Sequence, residues 1–130
     1  MNLVDTSGWL EYFFGQPNAQ FFSQPIEDIA SSIVPTICLY EAYKKVGLVA
    51  DEARALQIAA QMKQGRVVPV CADVAIQAAR VSIRHSLPMA DSIVYATALI
   101  HGATLWTQDE HFRALPGVRY AVARRSAGRR

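Results

Sequence analysis

Residues 88–112 read PMADSIVYATALIHGATLWTQDEHF. Pro88 stands where proline suits the opening of a helix. The residues after it are apolar nearly all round, which predicts a helix buried on most of its surface. Gly102 supplies the stop. ATLWT (103–107) then reads as a short apolar strand, and DEHFRAL (109–115) as a short helix. Thr107 and Glu110 have the T-x-x-E spacing of a capping box. A buried helix feeding a short apolar strand, which feeds another helix, is the repeating step of an α/β fold.

The same step recurs in both directions. Asn2 to Val4 is a short apolar strand, followed by a helix over 6–15 with Thr6 or Ser7 as its N-cap. Helical and turn pieces follow, broken at Pro17 and Pro25. SSIVPT (31–36) is a second strand and ICLYEAYKKVGLV (37–49) a helix. DEARALQIAAQMKQG (51–65) is amphipathic, with Ala55, Ile58, Ala59 and Met62 on one face and Gly65 as its stop. RVVPV (66–70) is a third strand. A helix over 73–86 follows, with Asp73 as cap, and VRYAV (118–122) is the last strand. Short apolar strands alternating with helices predict a mainly parallel central sheet covered on both faces. Ligands of such sheets sit at the carboxyl ends of the strands.

At 130 residues the chain is long enough for one domain with a real core, here placed at residues 1–123 with a basic tail over 124–130. Hydrophobic residues make up 52% and charged residues 18%, which excludes a disordered chain and suggests surface covered by a partner. A net charge of +2 names no nucleic-acid partner by itself. Arg124, Arg125, Arg129 and Arg130 crowd the end, as a solvated tail or as extra phosphate contacts. Cys38 and Cys71 lack metal-ligand spacing, and a reduced, cytoplasmic setting is expected. The N-terminus has no basic n-region, so no signal peptide is expected. The charge-free stretch 92–108 falls short of a membrane span, and the protein is expected to be soluble.

Four of the eleven acids are unusually placed. Asp5 directly follows the first strand, where it reads either as a helix cap or as a site residue. Glu41 lies inside a helix, as an i,i+4 partner of Lys45 or as a site residue. Asp91 opens the apolar helix, where an ionised group needs a partner. Asp109 follows the fourth strand; if Thr107 and Glu110 cap the next helix, Asp109 is not needed there. Brought together, such carboxylates bind protons or a cation. Oxygen donors suit Mg²⁺ or Mn²⁺, and a hard metal held by acids suits phosphodiester hydrolysis. Without metal, the more buried of Asp91 and Glu41 is expected to hold its proton above the usual range. His85, His101 and His111 have no close ligand spacing and offer no rival site. The aromatics Trp9, Tyr12, Phe13, Phe14, Phe21 and Phe22 read as core or interface.

Together with VDTSGWLEYF (4–13) and TICLYEAYKKV (36–46), the segment 88–112 resembles the PIN domain, most closely the VapC-type toxin of a toxin–antitoxin pair. The resemblance covers nearly the whole chain. It implies a three-layer α/β/α sandwich and a Mg²⁺- or Mn²⁺-dependent endoribonuclease. It implies Asp5, Glu41, Asp91 and Asp109 as catalytic and metal-site acids, with Thr6, Ser7 and Thr107 in support and Glu110 as the neighbour that competes with Asp109. It implies an RNA substrate, a homodimer, and an antitoxin bound in a groove of the early helices. A PIN nuclease of RNA processing without an antitoxin and a non-cleaving binding module are the alternatives. A haloacid-dehalogenase-like phosphatase fails because Ser7 stands where its second acid is needed. A receiver domain fails because Lys44, Lys45 and Lys63 are the only lysines and none is late in the chain.

Overall fold

The computed structural model describes residues 1–124; Arg125, Arg129 and Arg130 of the basic end lie outside the described residues. Five strands form one sheet: β1 (Asn2–Val4), β2 (Ser32–Pro35), β3 (Arg66–Val68), β4 (Thr104–Thr107) and β5 (Val118–Tyr120). Their order is β3-β2-β1-β4-β5 and every pairing is parallel, with Leu3 opposite Ile33 on one side and Leu105 on the other. Helices α1 (Thr6–Phe13), α2 (Ala19–Glu27), α3 (Thr36–Val49) and α4 (Glu52–Met62) connect β1 to β2 to β3. Helices α5 (Ala72–His85) and α6 (Met89–His101) connect β3 to β4. Right-handed crossovers put the first four helices on one face and the last two on the other. The fold is therefore the expected α/β/α sandwich, and its sheet is wholly parallel.

The sheet is this apolar because both faces are covered. Leu3, Ile33, Val34 and Leu105 are fully buried between the layers. Gly8 lets α1 approach α2 and β1: a Cβ there would stand 2.6 Å from Phe22 and from Val4. Gly102 caps α6 in the left-handed conformation, φ +61°, as its position after the apolar run predicts. Trp9 and Phe22 belong to the core, while Tyr12, Phe13, Phe14 and Phe21 pack against it half-buried.

Several local readings are corrected. Helix α2 runs through Pro25 rather than breaking there, because Pro25 lies in its last turn. The carbonyl of Phe21, left without a backbone donor, accepts from Gln24 Nε2 at 3.3 Å. Asp5 caps α1, not Thr6 or Ser7: its side chain accepts from the Gly8 amide at 3.0 Å. The cap position of α5 is Cys71, and Asp73 is a first-turn acid placed favourably for the helix dipole. The strands after Met62 and Gly117 are shorter than the apolar runs, since only three residues of each pair with a neighbour.

Candidate active site

The strand order reverses between β1 and β4, so the connections leaving those two strands diverge and open a crevice at their carboxyl ends. Asp5 leaves β1 there, and its amide donates to the Trp106 carbonyl at 3.2 Å. Its Oδ1 accepts from Ser7 Oγ at 2.7 Å and from the Gly8 amide, and its Oδ2 accepts from Thr107 Oγ1 at 2.6 Å. Only 5% of Asp5 is exposed. Burial pushes its carboxyl up to about 6, against the pull of those three hydrogen bonds and with a smaller push from Asp109.

Glu41 sits on α3, and Thr6 Oγ1 donates to its Oε1 at 2.7 Å. That hydroxyl is its partner; among the described residues no Lys45–Glu41 ion pair forms within 4.0 Å. Asp91 opens α6. Its proton affinity is raised by burial first and by Asp109 next, and lowered in part by His111. Asp109 does cap the turn that follows β4, a 3₁₀ turn over Glu110–Phe112, by accepting from the His111 amide at 2.9 Å. The capping box read at Thr107 and Glu110 is not formed. Thr107 Oγ1 accepts from the Asp109 amide at 2.9 Å and donates to Asp5, while Glu110 is exposed.

All four acids line one cleft of about 240 Å³, with Leu10, Val94 and Phe112 as its apolar wall and Lys45 at its side. They come from four separate elements. The acid with the clearest gain in proton affinity is Asp5, while the expectation had named Asp91 or Glu41; Asp5 is the most buried of the set because it stands between two strand ends.

Sequence reasoning missed His111. Its Nδ1 lies 2.6 Å from Asp91 Oδ2 and 3.3 Å from Asp109 Oδ1, and its pKa is raised chiefly by Asp91. Among the described residues, Asp91, Asp109 and His111 form the set of three metal-capable side chains whose ligand atoms lie within 4.8 Å of one another. The one linear signal was the closeness of His111 to Asp109; its contact with Asp91 spans twenty residues.

This fold and cleft define a parallel α/β protein that gathers carboxylates at its topological switch point. The chain belongs to the PIN domain family, whose profile matches residues 3–118. Comparison with curated protein sequences gave no match. Among solved structures, a chain of a toxin–antitoxin complex from Klebsiella pneumoniae is 21% identical with a TM-score of 0.76, covering 92% of this chain and 96% of its own. The Mycobacterium tuberculosis protein VapC20, described as a sarcin-ricin loop cleaving toxin, is 20% identical with a TM-score of 0.75, covering 89% and 95%. FitAcB from Neisseria gonorrhoeae is 24% identical with a TM-score of 0.65, covering 92% and 96%. These likenesses establish the fold. No helix among the described residues is long and apolar enough to cross a membrane.

Proposed function

We propose that the protein is a metal-dependent endoribonuclease and the toxin of a toxin–antitoxin pair. The observation that carries this reading is the convergence of Asp5, Glu41, Asp91 and Asp109 on one cleft. Family membership supports a nuclease, and the Klebsiella and Mycobacterium likenesses, one a toxin–antitoxin complex and one a sarcin-ricin loop cleaving toxin, favour RNA and an antitoxin.

The donor set fits a hard cation. The four carboxylates line one half-dry cleft, and the proton affinity of Asp5 and Asp91 is raised by burial first and by the charge of Asp109 after it. Asp5, Glu41, Asp91 and Asp109 would hold Mg²⁺ or Mn²⁺. When bound, such an ion lowers the pKa of an attacking water and offsets charge on the phosphoryl oxygens. The rest is the work of this chain. Thr107 fixes Asp5 and the amide of Asp109 with one hydroxyl. Ser7 holds the other oxygen of Asp5, and Thr6 orients Glu41. Leu10, Val94 and Phe112 keep one wall dry, which strengthens every charge interaction inside.

The purified chain should cut total RNA in the presence of Mn²⁺ or Mg²⁺ and not in EDTA, with new ends that map to defined positions. The Asp5→Asn variant should not cut. Equal cutting by that variant, or by the parent in EDTA, defeats the reading. Co-expression with the antitoxin that this reading requires should raise soluble yield. We also infer a homodimer working in the cytoplasm, and some of the half-buried aromatics of α1 and α2 as antitoxin contacts. Trp9 and Phe22 are excluded from that surface by their burial.

A further inference from the structure

Glu11 is a carboxylate that the metal reading does not use, yet it is 8% exposed. Among the described residues no lysine or arginine lies within 4.0 Å of it. Burying a carboxylate is costly unless hydrogen bonds replace water. Its two oxygens have them. Oε1 accepts from Gln108 Nε2 at 3.0 Å, and Oε2 accepts from the Asn18 amide at 2.8 Å. The chain of bonds continues. Asn18 Nδ2 donates to Gln108 Oε1 at 3.0 Å and to the Val122 carbonyl at 2.9 Å. Arg124 Nε donates to Asn18 Oδ1 at 3.0 Å, and its Nη2 donates to the Pro17 carbonyl at 2.7 Å.

The direction of this chain is fixed from both ends. Arg124 can only donate and the Glu11 carboxylate can only accept, so the amides of Asn18 and Gln108 each have one orientation that satisfies every partner. Gln108 is the residue it grips. Gln108 stands between Thr107, whose hydroxyl bridges Asp5 and the Asp109 amide, and Asp109 itself. The strap arrives by the chain after β5, where the Ala121 amide also donates to the Thr107 carbonyl at 3.0 Å.

We propose that Glu11 and Arg124 are positioning residues for the Thr107–Gln108–Asp109 corner, so that the segment following β5 is part of what places the metal-site acids. The acid cleft is thereby set from three directions: from β1 through Asp5, from α1 through Glu11, and from the strap through Arg124. Glutamine at position 11 would have the right shape and the wrong polarity. Its amide nitrogen would face either the Asn18 amide or Gln108 Nε2, donor against donor, and turning Gln108 over would set its nitrogen against Asn18 Nδ2. The inference rests on the reading of the cleft as a cation site.

The test uses the full chain and two readouts: Mn²⁺ affinity by titration calorimetry, and urea stability in EDTA. Partners that orient metal ligands typically contribute about 10- to 100-fold in affinity. Glu11→Gln is expected to bind Mn²⁺ about tenfold more weakly and the surface variant Arg124→Ala several-fold more weakly. If Glu11→Gln does not fold, Arg124→Ala carries the test alone. Unchanged Mn²⁺ affinity in the folded variants, even with lowered stability, means a merely structural network and overturns the proposal. A parent that binds no Mn²⁺ overturns the cation reading and this inference together.

Discussion

Asp5→Asn separates charge from shape at the most buried acid of the cleft. In the metal-free fold its carboxyl titrates at about 6, against 3.8 for an ordinary aspartate, with burial as the largest cause. Between those values the folded chain holds a proton that the unfolded chain has lost, so stability falls as pH rises through that window. The window spans about 2 units at about 1.36 kcal/mol each, on the order of 3 kcal/mol in total. Roughly 2 kcal/mol of it lies between pH 4.5 and pH 7.5. Asparagine carries none of this dependence. It keeps Oδ1 for Ser7 and the Gly8 amide, but presents a donor to Thr107, whose oxygen already accepts from the Asp109 amide. That mismatch costs about 1 kcal/mol at any pH.

The variant should therefore be about 2 kcal/mol more stable than the parent at pH 7.5 and about equal to it at pH 4.5. Equilibrium urea unfolding in EDTA at the two pH values measures both differences. Mn²⁺ should then stabilise the parent by binding its folded form and should stabilise the variant far less. A parent–variant difference that stays the same at both pH values would refute the reasoning, because Asp5 would then carry no buried charge.

Thr107→Val removes the hydroxyl that donates to Asp5 and accepts from the Asp109 amide; it should cost about 1–3 kcal/mol in urea unfolding and lower Mn²⁺ affinity at the same time. Gly8→Ala drives a methyl toward Phe22 and Val4 and should cost about 1–3 kcal/mol, with parent-like stability counting against the close approach of α1. In metal-free protein, NMR titration of His111 should give a midpoint above 6.5, and Asp91→Asn should bring it down. The stabilising part of that His111–Asp91 pairing is present below the ordinary histidine value and is lost as pH rises through the raised one. A midpoint unmoved by Asp91→Asn would mean the two side chains do not meet in solution.

The fold was legible because its decisive signals are local. Strand residues such as 2–4 and 104–107 are short and apolar, helices separate them, and Gly102 ends α6 where a left-handed cap is needed. Pro25 misled because proline in a last turn removes a single backbone bond, and Gln24 supplies a donor from its side chain. The 52% hydrophobic content was legible only as burial in general. It could not say that Trp9 and Phe22 face the core while Leu48, Ile83 and Met89 stay at least 75% exposed, since that depends on which helix faces meet the sheet.

The four acids were visible as residues that local structure did not require, and that criterion is also where the reading went astray. It treated capping and site membership as rivals. Asp5 caps α1 and lines the cleft as well, because a carboxylate has two oxygens: one accepts from Ser7 and the Gly8 amide at the head of α1, the other reaches Thr107 at the end of β4. Asp109 likewise caps its turn and lines the cleft. A helix start at the carboxyl end of a parallel strand sits at the crevice by construction, so a cap there is within reach of the site without any further device. The contacts that finish the cleft join residues 5 with 107, 6 with 41, and 91 with 111, and no spacing rule links such pairs before the chain is folded. The folded strand order, which sets β1 between β2 and β4, brings 5 beside 107 and 6 beside 41, and the packing of α6 on the sheet brings 91 beside 111.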